Sequence, residues 1–77
     1  MITAYVLIQA EVGSSADVGA KIARIEGVKS ADVVTGPYDV IAVVGAASMD
    51  ELGKLVVAKI QVVDGVTRTL TCPVIRF

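Results

Sequence analysis

The sequence has no histidine, no tryptophan and no asparagine. Without imidazole there is no general acid–base group of ordinary pKa near neutrality, no histidine-based metal site and no Ser–His or Cys–His nucleophile pair. There is one cysteine, Cys72. A lone thiol makes neither an internal disulfide nor a cysteine-rich zinc site, and a reducing, cytoplasmic setting fits it best. Charge is sparse and balanced: 7 Lys plus Arg against 8 Asp plus Glu, a net charge of -1. A stand-alone nucleic-acid binder needs a basic stripe to neutralise phosphates, and none is present. Long hydrophobic runs are also missing. The uncharged runs Met1–Ala10 and Val40–Met49 are ten residues each, against about 18 needed to span a bilayer. No Lys or Arg precedes the first run, so it does not read as a signal peptide.

What is present is aliphatic. The chain is 55% apolar but 4% aromatic, and Val, Ile and Thr make up 27 of its 77 residues, a β-forming bias. Mean hydropathy is +0.75. One domain of this length buries only about 60% of the surface its unfolded chain exposes. So much apolar content in so short a chain implies a second burial step, between subunits.

Two segments repeat one plan. Residues 2–10 and 39–46 are strand-like. Ser14 opens a helix through about Glu26, and Ser48 opens a second through about Val62; Gly27-Val28 and Gly65-Val66 end them. Ser48 with Glu51 has the spacing of a capping box, and Ser14 with Asp17 is a weaker version. Val18, Ile22 and Ile25 form one apolar stripe; Met49, Leu52, Leu55, Val56, Ile60 and Val63 form a wider one. Further strands follow each helix, Lys29–Thr35 and Val66–Thr71, and Gly36-Pro37-Tyr38-Asp39 is a tight turn between the second and third. Pro73 is expected to end regular pairing of the last strand. The string βαββαβ predicts an α+β, ferredoxin-like plait of one domain over 1–77. Its four-stranded antiparallel sheet, in order 4-1-3-2, carries both helices on one face.

The two central strands are apolar on both sides. Ile2, Ala4, Val6, Ile8 and Ala10 alternate with Thr3, Tyr5, Leu7 and Gln9; Val40, Ala42, Val44 and Ala46 alternate with Ile41, Val43 and Gly45. Helices cover one face only, so the other needs a partner, and a second copy is the simplest one. Tyr5, Leu7, Ile41 and Val43 are the expected dimer interface.

Motifs for catalysis are lacking. The glycines match neither dinucleotide nor P-loop spacing, and there is no Cys-x-x-Cys. No metal, cofactor or catalytic residue is expected. Asp39 admits two readings: a turn residue bonding nearby amides, or an acceptor for a ligand's ammonium. Thr67, Thr69 and Thr71 share one strand face, as β-formers or as a row of hydroxyl donors. Cys72 reads as a buried small hydrophobe.

The stretches AYVLIQA, GVKSADVVTGPYDVIAVV and VDGVTRTLTCPVI resemble the ligand-binding and oligomerisation (RAM) domain of the leucine-responsive regulator/asparagine-operon regulator family. The resemblance spans nearly all of 2–76. It implies dimerisation through the sheets and assembly into a tetramer, octamer or decamer. It also implies a free amino acid bound between dimers near the turn and the last strand, by Gly36, Pro37, Tyr38, Asp39, Thr69 and Thr71. Family regulators carry a helix-turn-helix ahead of this domain, whereas residue 1 here already lies at strand one. The expectation is a stand-alone effector module in transcription regulation, with no direct DNA binding and no membrane contact, acting alone or by co-assembly with full-length regulators. The alternatives are a small dimeric α+β-barrel enzyme, whose usual His, Asn or Trp is missing, and an oligomerisation module without ligand.

Overall fold

The alternation of two-sided strands with amphipathic helices is realised throughout a computed structural model that describes all residues 1–77. The order is β1 (Ile2–Ala10), α1 (Ser15–Ala23), β2 (Val28–Val33), β3 (Val40–Ala46), α2 (Met49–Leu55), a π-helical turn (Val56–Ile60) and β4 (Val66–Pro73). The strands form one sheet, β2-β3-β1-β4, antiparallel at every neighbour. This is the expected α+β ferredoxin-like fold. No helix is long and apolar enough to cross a membrane.

Strand parity decides the core. Ala4, Val6 and Ile8 of β1 and Val40, Ala42 and Val44 of β3 are fully buried, and they cluster with Val18 and Ile22 of α1 and with Leu52, Val56 and Ile60. Both helices therefore lie on the even-numbered face of the central strands.

The second helical segment departs from a single α-helix. Leu52, Val56 and Ile60 are spaced by four, and in an α-helix each such step drifts by about 40°. A wider turn after Leu55, closed by Gln61 N–H donating to Val56 O at 2.8 Å, offsets that drift and keeps all three side chains on the core. Met49 is outside the stripe, 56% exposed. At the helix start, Ser48 accepts from Glu51 N–H at 3.1 Å. The reciprocal half of the box does not form; Glu51 instead pairs with Lys54 at 3.7 Å. Ser14 caps nothing through its side chain, and Asp17 pairs with Lys21 at 3.0 Å.

One further expectation is corrected. Cys72 is exposed, because it pairs with Tyr5 on the face away from the helices. As expected, β4 ends at Pro73, with one further bond beyond it, Val74 N–H donating to Thr3 O at 2.8 Å. That bond makes Ala4–Pro73 a non-hydrogen-bonded pair, where the missing proline N–H costs nothing. Before β4, Gly65 has φ +97° and a Cβ there would stand 2.9 Å from Val18 Cγ2, so glycine is required on both counts.

Candidate functional site

The face without helices is built by the odd residues of β1 and their partners. Tyr5 lies opposite Val43 and Cys72, and Leu7 opposite Ile41 and Leu70. Around this apolar centre stand Ser30 and Asp32, paired with Val43 and Ile41, and Gln9 paired with Arg68. Tyr5 is 47% exposed and Leu70 39%, while Leu7, Ile41 and Val43 are half-buried by each other. An apolar centre with a polar rim is the anatomy of a subunit interface. The register thus gathers Tyr5, Leu7, Ile41 and Val43 into one patch and adds Leu70 and Cys72. A register shift at Gln9/Ala10 hides the parity of β4 from a reading of the sequence.

The turn between β2 and β3 is held mostly through Asp39. Its carbonyl accepts from Val34 N–H, and its N–H donates to Ile8 O, both at 2.9 Å. Its carboxylate does a strand's work. The β1–β3 ladder ends at Ile8–Val40, so Ala10 N–H faces a column where β3 has turned away. Asp39 Oδ2 accepts that N–H at 2.7 Å. Oδ1 receives no hydrogen bond within the chain. Pro37 O accepts from Gln9 Nε2 at 3.2 Å. Gly36 is exposed with φ +141°, and Tyr38 is half-buried. The N–H groups of Gly36 and Tyr38 have no backbone partner, which leaves donors free at the turn.

The threonines lie elsewhere. Thr69 and Thr71 oppose Ile8 and Val6, on the helix side of edge strand β4. Thr69 Oγ1 accepts from Gln61 Nε2 at 3.0 Å. Thr71 borders a groove of about 400 Å³ with Met49, Leu52, Val56 and Pro73. Thr67 donates to Gln9 O at 3.2 Å. Within one chain, β1 separates Asp39 from Thr69 and Thr71, two strand spacings or about 10 Å. The turn residues come together; the β4 hydroxyls do not join them. No three His, Cys, Asp or Glu side chains gather as a metal site.

Comparison with known proteins bears on this arrangement. The family of the Lrp/AsnC ligand binding domain matches residues 3–77. An uncharacterized HTH-type transcriptional regulator of Pyrococcus furiosus is 38% identical over 72 residues, 90% of this chain and 48% of that protein. The chain therefore spans about half the length of the curated relatives it matches. A crystal structure of a Thermus thermophilus protein superposes with TM-score 0.93 at 38% identity, covering 100% of this chain and 96% of the other. Escherichia coli AsnC superposes with TM-score 0.90 at 25% identity, over 99% of this chain and 52% of AsnC. A Neisseria meningitidis transcriptional regulator crystallised with L-Met shares the fold, with TM-score 0.84 at 17% identity, over 97% of this chain and 50% of that one. With its helix-free apolar sheet face and its aspartate-held turn, the chain belongs to the Lrp/AsnC ligand-binding-domain family.

Proposed function

We propose that this domain senses a free amino acid and couples its binding to subunit assembly, so modulating transcription of amino-acid metabolism in the cytoplasm. The observation that carries the reading is the separation of acceptor and donors. Asp39 Oδ1 is an open acceptor at one end of the sheet, and the β4 hydroxyls are on the other side of β1. An ammonium and a carboxylate one residue's width apart reach both only if two chains supply them. The free N–H groups of Gly36 and Tyr38 add donors at the turn.

In this proposal two copies pair through Tyr5, Leu7, Ile41 and Val43, and dimers meet at the ligand to form a tetramer, octamer or decamer. A ligand held by two dimers favours the larger assembly by mass action. The Neisseria protein's L-Met complex supports the ligand class by fold likeness. DNA contact falls to a chain of the helix-turn-helix type seen in the name of the Pyrococcus regulator, whether co-assembled or covalently joined. The domain itself is a binder and not an enzyme.

Calorimetry with the standard amino acids tests the reading, alongside light scattering. At least one of them binds at millimolar concentration or tighter, and Asp39→Asn weakens it at least tenfold while the dimer survives. The reading fails if none binds, or if Asp39→Asn binds as well as the wild type, which leaves Asp39 a purely structural group.

A further inference from the structure

The helix-free face carries charge as well as apolar side chains. Asp32 of edge strand β2 stands in the row Asp32–Ile41–Leu7–Leu70, and Arg68 of edge strand β4 stands beside Gln9. A register shift between Val28 and Ser30 turns Lys29 to the same face. Its Cε lies 3.0 Å from where a Cβ on Gly45 would stand, at the end of the face where Gly45 pairs with Thr3. None of these three charges has an ion pair within the chain, whose two pairs are Asp17–Lys21 and Glu51–Lys54.

Two sheets packed face to face lie about 10 Å apart with their strands nearly aligned. A two-fold axis between them runs either along the strands or across them. An axis along the strands sets β2 of one copy over β4 of the other. Asp32 then faces Leu70 and Ser30 faces Cys72, with Arg68 one row from Asp32. That places a carboxylate on an apolar side chain at both edges. An axis across the strands, between the Tyr5 row and the Leu7 row, sets each strand over its own copy. Tyr5 then faces Leu7, Val43 faces Ile41 and Cys72 faces Leu70, so apolar side chains meet apolar ones out to the β4 edge. At the β2 edge the two Asp32 carboxylates approach each other across the axis. The same rotation carries Lys29 to the other end of the face, next to Asp32 of the second copy. The second axis covers Leu70, which is 39% exposed in the single chain, and still supplies Asp32 with a cation.

We propose that the two copies meet about the axis across the strands, and that Lys29 of each pairs with Asp32 of the other. The inference rests on the sheet-face dimer proposed above, which leaves the direction of its axis open. The two ion pairs fix that direction, since without Lys29 the paired Asp32 carboxylates repel. They also select partners, because a facing chain with no cation at position 29 leaves Asp32 uncompensated.

Sedimentation equilibrium of the 77-residue chain at low ionic strength reads the dimer dissociation constant. Lys29 and Asp32 are exposed, so substitutions there keep the fold. Asp32→Lys raises the constant about tenfold, because each dimer contains the contact twice. Adding Lys29→Asp to Asp32→Lys restores it, and adding Arg68→Asp does not. Rescue by Arg68→Asp instead, or a constant indifferent to Asp32→Lys, overturns the proposal. A second measurement uses dimers of one isotope-labelled and one unlabelled copy. Leu70 methyl protons show cross-chain Overhauser contacts to the Cys72 β-protons. Contacts to the Asp32 β-protons in their place establish the other axis and overturn the proposal. A wild-type chain that stays monomeric removes the sheet-face dimer together with this arrangement. A stable dimer without rescue by Lys29→Asp keeps the dimer and removes the arrangement alone.

Discussion

The two faces of the sheet carry nearly the same amino acids and have opposite fates. On the helix side, Val6, Ile8, Val40 and Val44 are at 0% exposure. On the other side Tyr5 and Leu70 remain 47% and 39% exposed, although Leu7, Ile41 and Val43 are as apolar as their neighbours. Composition therefore does not distinguish a closed face from an open one; what distinguishes them is whether the same chain supplies a cover. The rim marks the difference in this molecule. Ser30, Asp32, Gln9 and Arg68 ring the open face, whereas no buried polar or charged residue interrupts the closed one.

That contrast is sharpest where one residue on each face is altered. Ile8→Ala removes side-chain volume from a fully buried site, and unfolding by denaturant should show a loss of about 2–5 kcal/mol. Leu7→Asp, one position along, should instead shift sedimentation from dimer to monomer. Each large apolar side chain buried between copies contributes about 1.5–3 kcal/mol, and a charge there reverses the sign. A wild-type chain that is a folded monomer at low micromolar concentration breaks the comparison, because the open face would then need no cover.

A smaller effect is expected at the border between the faces. Asp39→Ala orphans Ala10 N–H, which should cost about 1–3 kcal/mol and accelerate exchange of that amide without global unfolding. Asp39→Asn keeps an acceptor there, so slow exchange at Ala10 should persist; fast exchange in the Asn variant would mean that the carboxylate's charge, and not its geometry, holds the strand end. The smallest change is Ser48→Ala, which removes one capping bond to Glu51 N–H and should cost about 1 kcal/mol in thermal unfolding while leaving the oligomer unchanged. A change of oligomer there would show that the helix side also takes part in assembly.

Much of this is legible residue by residue. Short aliphatic, β-branched runs in ITAYVLIQA and VIAVVGA identify the central strands and their two-sided character. Ser48 marks the start of α2, and Gly-Val twice marks the return to a strand. The misreadings have physical causes. Cysteine is usually buried, which makes Cys72 read as interior, but strand parity relative to Tyr5 overrides residue type. The π turn is invisible in the sequence because spacing by four fits an α-helix over one step and drifts only when Ile60 must also reach the core.

The sequence by itself determined what short-range physics controls: which segments are strands or helices, where the helices begin, and that both faces of the central strands are apolar. Hydrogen bonding within a turn and the two periodicities act over a few residues, so they are readable from any window of the chain. Only the tertiary structure decided that the even face closes on the helices, that Asp39 Oδ2 is engaged by an amide 29 positions away, and that β1 stands between Asp39 and the β4 threonines. Those outcomes depend on strand order and register, which are set by the packing of the whole chain at once.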